Sequence, residues 1–258
     1  MIVLERVGVR LGGRAVIEDV ALRVAPGGWT TLIGPNGAGK TSLLRAVAGM
    51  VQHDGSIAVG GSEPRALSAR ERARLLALVW QSPLIPVDMT VAEYVLLGRT
   101  PHLGMLGRAG GRDHAAAREA LGRLDLGPLA QRRLGSLSGG ERQRAVLGRA
   151  LAQEAPVLLL DEPTTALDVG SQQEVLELVR ELRAERSLTV LAAMHDLTLA
   201  GQYADRLALL DGGRLAGEGP PAEVLTEELI ERHYRARVRV ARLDGTTVVL
   251  PVPAGARA

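Results

Sequence analysis

Residues 34–41 read GPNGAGKT, and no other run constrains the chain as much. They fit the phosphate-binding loop pattern G-x-x-x-x-G-K-[ST], with Gly34, Gly39, Lys40 and Thr41 at the fixed positions and Pro35, Asn36, Gly37 and Ala38 between them. The preceding residues 29–33, WTTLI, are apolar and β-branched and predict a buried strand. After the loop, from Ser42 to Met50, Leu43, Leu44, Val47 and Met50 recur at helical spacing. The loop thus falls between a strand and a helix N-terminus, where outward-facing backbone N–H groups and the positive end of the helix dipole favour polyphosphate. The pattern assigns Lys40 to the outer phosphates and the Thr41 hydroxyl to Mg²⁺. Lys40 is the only lysine in a chain whose other basic side chains are otherwise arginine, apart from five histidines. A compact ammonium fits where a planar guanidinium would not.

A length of 258 residues admits one large domain or two small ones. There is no Phe and there are only two Trp and three Tyr, so a core drawn from 46% hydrophobic residues must be aliphatic. The absence of Cys excludes disulfides and cysteine metal sites. Net charge is +2, and Arg is interspersed with Asp and Glu without a basic block, which argues against a nucleic-acid-binding tail. The first residues, MIVLERVGVRLGG, carry Glu5, Arg6 and Arg10 and do not read as a signal peptide. No apolar run approaches the length of a membrane span. The expectation is a soluble protein whose membrane role, if any, comes through a partner.

Along the chain, strands over 2–10 and 15–24 predict a small antiparallel layer ahead of the loop. His53-Asp54-Gly55 reads as a turn, 56–59 as a strand, 68–74 as a charged helix and 75–80 as a buried strand. Helices over 91–97 and 114–124, with a glycine-rich connection over 104–111, predict a helical subdomain at 82–153 inserted into an α/β core of 1–81 and 154–258. A buried strand at 157–160, a helix at 171–186 and a strand at 188–194 follow. Hairpins turn at Asp211-Gly212-Gly213 and Asp244-Gly245, with short helices near 222–225 and 227–234 between them.

Four of the buried strands end on residues suited to nucleotide chemistry: the loop itself, Gln81, Asp161-Glu162 and His195-Asp196. Ligands of open parallel sheets bind beyond the carboxyl ends of the strands. Asp161 closes the apolar run VLLL, the pattern that holds Mg²⁺ in phosphate-loop enzymes, and Glu162 beside it suits a general base. Gln81 and His195 taken singly are weak signals, and His53, His102, His114 and His233 read as ordinary histidines. In residues 137–141, LSGGE, Ser138 and Glu141 fit a capping box at the start of a second helix, with Gly139 and Gly140 between them. The Ser138 hydroxyl either caps its own backbone or faces a phosphate, and local sequence allows both.

In this order, GPNGAGKT, Gln81, LSGGE, VLLLDEP, the ALD ending at Asp168, and His195 resemble the ATP-binding subunit of an ABC transporter. The interval from Lys40 to Ser138 leaves no room for the long coiled coil of chromosome-maintenance ABC ATPases. The resemblance implies a P-loop NTPase core and a head-to-tail homodimer closing on two ATP molecules. ATP would be held by residues 34–41, Ser42 and Leu11. Mg²⁺ would be held by Thr41, Gln81 and Asp161, and Glu162, His195 and Gln81 would serve catalysis. Ser138, Gly139, Gly140, Glu141 and Asp168 would act from the other copy. It also implies two copies of a polytopic permease docked near Gln81, a substrate-binding protein as an indirect partner, no nucleic acid, and a place at the cytoplasmic face of the membrane. GRTPHLG at 98–104 and GEGPPAEVLTEELI at 217–230 resemble the subgroup importing iron–siderophores, haem and vitamin B12. One departure stands out: such proteins place an aromatic near Leu11 to stack on adenine, and this segment is VRLGGR. The competing readings are a soluble ABC ATPase of DNA repair or translation, usually marked by zinc cysteines, paired cassettes or long insertions, and a catalytically inactive binding module. The arginines at 232, 235, 237, 239 and 242 read as a solvated face.

Overall fold

The computed structural model describes residues 1–81, 83–104, 107–165 and 167–253. Ala166 of the ALD run and residues 105 and 106 of the glycine-rich connection lie outside these. The chain divides into two units, Met1–Pro64 with Thr189–Ala258, and Arg65–Leu188. The second is wider than the helical segment expected over 82–153.

The first unit begins with β1 (Ile2–Leu11) and β2 (Arg14–Val24), which pair antiparallel. Ile2, Leu4, Val7 and Val9 of β1 are all buried, although Leu4 and Val7 stand three apart. A bulge between them restores the inward face, with Arg6 at φ 50°. Next come β3 (Trp29–Ile33), buried along its whole length, α1 (Lys40–Val47) and β4 (Asp54–Val59). β4 pairs with the other side of β1. The turn expected at His53-Asp54-Gly55 is not there, because Asp54 and Gly55 already belong to β4. Gly55, at φ 76°, faces the β1 bulge so closely that a Cβ would lie 2.2 Å from the Arg6 carbonyl oxygen. The glycine marks a bulge rather than a chain reversal.

The second unit opens with α2 (Ala69–Leu75), capped by Ser68, and β5 (Leu76–Val79). The helices α3 (Val91–Leu96), α4 (Gly111–Arg123) and α5 (Gly139–Ala152) pack on one another. A 3₁₀ segment, Leu97–His102, continues from α3. Val95, Leu121, Leu134, Leu147 and Leu151 are among the side chains buried in this unit, an aliphatic core as composition demands. β6 (Val157–Asp161) pairs parallel to β5 and is followed by α6 (Val169–Arg186), which buries Val175, Leu176, Val179 and Leu182 at helical spacing.

Returning to the first unit, β7 (Thr189–Ala193) and β8 (Arg206–Asp211) flank β3 in parallel, and β9 (Arg214–Gly219) adds antiparallel to β8. Between β7 and β8 lies α7 (Leu197–Tyr203), capped by Asp196, a helix too short for its period to be read from sequence. α8 (Pro221–Val224) and α9 (Glu227–Tyr234) lead to the hairpin of β10 (Val238–Leu243) and β11 (Thr246–Pro251). The hairpin packs on α7, where the Thr198 hydroxyl accepts from the Val249 amide at 3.1 Å. Among the described residues no helix is long and apolar enough to cross a membrane.

Candidate active site

In the first unit, Leu32 pairs with Ala193, and the Met194 amide donates to the Leu32 carbonyl at 3.1 Å. The register brings the start of the phosphate loop and His195 to one sheet edge. Lys40 is 5% exposed, and its ammonium donates to the carbonyls of Gly34 (2.6 Å) and Pro35 (3.2 Å), bridging the loop's entry. Asn36 and Gly37 are exposed. The helices α2, α3, α5, α6 and α7 all carry a side-chain cap. The N-terminus of α1 has none, with Gly39 at the cap position and no acidic residue in the first turn. With no side-chain cap bond and no acidic residue of its own first turn, α1 meets the condition for an anionic ligand. Ser42 lies in this first turn, and Leu11 ends β1 in the same unit.

Gly34, at φ 147°, abuts the Leu210 carbonyl oxygen, which a Cβ would approach to 2.0 Å. Gly34→Ala should therefore destabilise the fold by about 3 kcal/mol or more, seen as a lowered melting temperature. A melting temperature unchanged from the parent would contradict this packing.

Two residues at this place escaped the sequence reading. His233 Nδ1 lies 2.9 Å from Asp211 Oδ2, tying the end of α9 to the end of β8. The Tyr234 phenol sits near the Gly34 amide without a well-formed hydrogen bond, and burial pushes its pKa up.

In the second unit, Val79 pairs with Leu160, so Gln81 and Glu162 follow the strand ends in step. Gln81 Nε2 donates a short hydrogen bond to Glu162 Oε2, and Thr165 Oγ1 donates to the same oxygen at 3.2 Å. Asp161 is 2% and Glu162 8% exposed. Glu162 sits at φ 52°, a left-handed conformation uncommon for a side chain of this kind and recurrent where backbone strain serves function.

Ser138 is exposed and caps α5. Its Oγ accepts from the Glu141 amide at 3.3 Å, while Glu141 Oε2 accepts from the Ser138 amide at 2.7 Å. The Ser138 amide first, and then the Ser138 hydroxyl, donate toward the Glu141 carboxyl and hold it below its ordinary pKa. The hydroxyl accepts from the Glu141 amide and its one proton lies toward the Glu141 carboxylate, so a phosphate contact requires that proton to turn outward. Asp168 caps α6 through Oδ1, which accepts from the Ser171 amide at 2.9 Å, and Oδ2 accepts from the Ser171 hydroxyl at 3.1 Å. Both bonds lower the Asp168 pKa. Ser171 was not legible beforehand, yet its Oγ lies 2.9 Å from where a Cβ on Gly140 would stand. Gln143 and Gln172 were missed too: their amides donate to the carbonyls of Pro163 (2.9 Å) and Leu167 (3.2 Å) and so hold the segment between Glu162 and Asp168.

A buried strand, a glycine loop carrying a buried lysine and an uncapped helix N-terminus define a phosphate-loop nucleotide-binding α/β protein. Residues 17–165 match the model of the ABC transporter family, and the chain belongs to that family. It is 43% identical over 257 residues to the hemin import ATP-binding protein of Gloeobacter violaceus, covering 96% of this chain and 92% of that one. It is 42% identical to the cobalamin import ATP-binding protein of Halobacterium salinarum over 95% of its own length, but spans only 62% of that longer relative. Its fold is similar to a solved metal-chelate type ABC transporter in an inward-facing conformation, with a TM-score of 0.84, 27% identity, and coverage of 98% of this chain and 97% of that one.

Proposed function

We propose that this protein hydrolyses ATP to power an importer of haem, an iron–siderophore or cobalamin. It works as a head-to-tail dimer on two copies of a polytopic permease, at the cytoplasmic face of the membrane, with a substrate-binding protein as indirect partner. The observation that carries this reading is the 43% identity, over nearly the whole of both chains, to a hemin import ATP-binding protein. Lys40, the loop amides and the α1 N-terminus bind and orient the polyphosphate. Glu162 takes the proton of the attacking water, Gln81 orients the Glu162 carboxylate, and His195 contacts the γ-phosphate. Ser138, Gly139 and Gly140 complete the site of the other copy, and Asp168 answers across the dimer.

The donors proposed for the metal fit Mg²⁺. Thr41, Gln81 and the buried Asp161 offer a hydroxyl, an amide and one carboxylate, all hard oxygen ligands and too few for a closed cage. Among the described residues no cluster of three or more His, Cys, Asp or Glu stands ready to bind a metal by itself. Bound there, Mg²⁺ supplies charge neutralisation at the phosphates.

The segment after Gln81 supports docking to a membrane subunit: Leu84 is 97% exposed and Val87 also stands in solvent. Tagged chain recovered from detergent-solubilised membranes should bring down a polytopic membrane protein. Recovery of nucleic acid and no membrane protein would favour the DNA-repair or translation class instead.

Leu11 gives the adenine a purely apolar contact. Leu11→Tyr should lower the ATP Kd about 5-fold or more, the equivalent of one stacked base. Equilibrium titration with ATP checks it, and an unchanged Kd removes Leu11 from the base site.

A further inference from the structure

The run GRTPH at 98–102 grips one end of α5. Gly98 lies so close to that helix that a Cβ would stand 2.2 Å from the Arg149 carbonyl oxygen. The Arg99 side chain is 2% exposed. Its Nη1 donates to the Ala152 carbonyl (2.7 Å) and to Glu154 Oε2 (2.6 Å), and its Nε donates to Asp113 Oδ1 (3.2 Å). Asp113 Oδ2 accepts in turn from the Gly110 amide at 2.9 Å, at the start of α4. His102 Nε2 lies 2.9 Å from the Gln153 backbone carbonyl, and the Gln153 side-chain Nε2 donates to the carbonyls of Ala73 (2.5 Å) and Leu76 (2.8 Å). The last carbonyls of a helix have no partner within it, and here a guanidinium takes one of them at the negative end of the dipole.

The last turn of α5 buries Ala150, Leu151 and Ala152, and a cleft opens beside it. Ala150, Leu151 and Glu154 line an open cleft of about 320 Å³ together with Leu158 and Leu182. The polar ties add to the packing of Ala150, Leu151 and Ala152 in setting the position of the helix end. The far end of the same helix carries Ser138, Gly139 and Gly140, about 20 Å away at 1.5 Å rise per residue.

We propose that Arg99 is a positioning residue for the ATP site of a second copy of this chain. By clamping the exit of α5 it sets where the other end of that helix presents Ser138 when two copies close on ATP. This rests on the reading that Ser138 completes the partner's site.

The test uses the full chain carrying Glu162→Gln to hold ATP-bound dimers, with dimerisation followed by light scattering and ATP binding to the monomer by a fluorescent ATP analogue. Arg99→Met should raise the ATP concentration for half-maximal dimerisation at least about 10-fold, with monomer affinity unchanged. Arg99→Lys should recover part of the loss. Because Arg99 acts through Ser138, Arg99→Met added to Ser138→Ala should do no further harm, whereas a merely structural loss would add to it. Additive loss, or normal dimerisation by folded Arg99→Met, overturns the proposal. Should that variant not fold, Asp113→Asn and Glu154→Gln loosen the clamp with the arginine in place, and normal dimerisation by both overturns it equally. If Ser138→Ala itself dimerises normally, the trans role of Ser138 falls first and the clamp proposal with it.

Discussion

Glu162→Gln should cut the rate of ATP turnover about 10²- to 10⁴-fold, the usual contribution of a positioned general base, while ATP still binds. The substitution is nearly isosteric, and a glutamine that turns its carbonyl toward Gln81 and Thr165 keeps both hydrogen bonds now made to Oε2. What it removes is the capacity to accept a proton from water. The backbone at φ 52° is unchanged by the swap, so the strained turn that aims the side chain persists. Phosphate release measures turnover and equilibrium titration measures binding. A turnover rate within about 10-fold of the parent would show that another group takes the proton. Loss of binding together with turnover would make Glu162 part of the ATP cradle instead. The expected pattern, slow turnover with intact binding, also yields the long-lived ATP dimers on which the Arg99 experiment depends.

The phosphate loop was legible because its chemistry is local. Strand, glycine turn, lysine and helix lie within 20 residues of one another, and each needs a residue type that composition rarely supplies by accident. The capping boxes at Ser68, Thr90 and Ser138 are legible for the same reason, since both partners lie three residues apart. Gln81 carries no such signal. It gains meaning only because parallel pairing of Val79 with Leu160 sets its amide against Glu162. Gln143 and Tyr234 were invisible because each meets backbone distant in sequence, and Ser171 and Gln172 because nothing in their local chemistry marks the Gly140 or Leu167 backbone as a neighbour. A glutamine on a helix face looks the same whether it meets solvent or the Pro163 carbonyl. The glycine of β4 shows the opposite failure. Asp54-Gly55 has the local chemistry of a turn, and tertiary pairing with the β1 bulge overrides it.

Lys40→Ala should abolish ATP hydrolysis and ATP-dependent dimerisation together. The ammonium has two duties. It holds the carbonyls of Gly34 and Pro35 toward each other, and it offers a buried positive charge to the outer phosphates. Hydrogen bonds from charged groups are worth about 1.5–3 kcal/mol each, so losing even one or two to phosphate should raise the ATP Kd about 100-fold. Without a fixed triphosphate there is nothing for a second copy's Ser138 to close on. Lys40→Arg should fail as well, since the planar guanidinium does not fit a slot bounded by Gly34 and Pro35. The composition supplies an independent readout: as the only lysine, Lys40 is the one side-chain amine an acylating reagent can modify. Bound ATP should protect it, measured as the modified fraction of its peptide by mass spectrometry. Substantial modification that is equal with and without saturating ATP would place the phosphates away from Lys40. Dimers that still form with ATP in Lys40→Ala would mean that closure reads adenine or ribose, and that the lysine serves the chemistry alone.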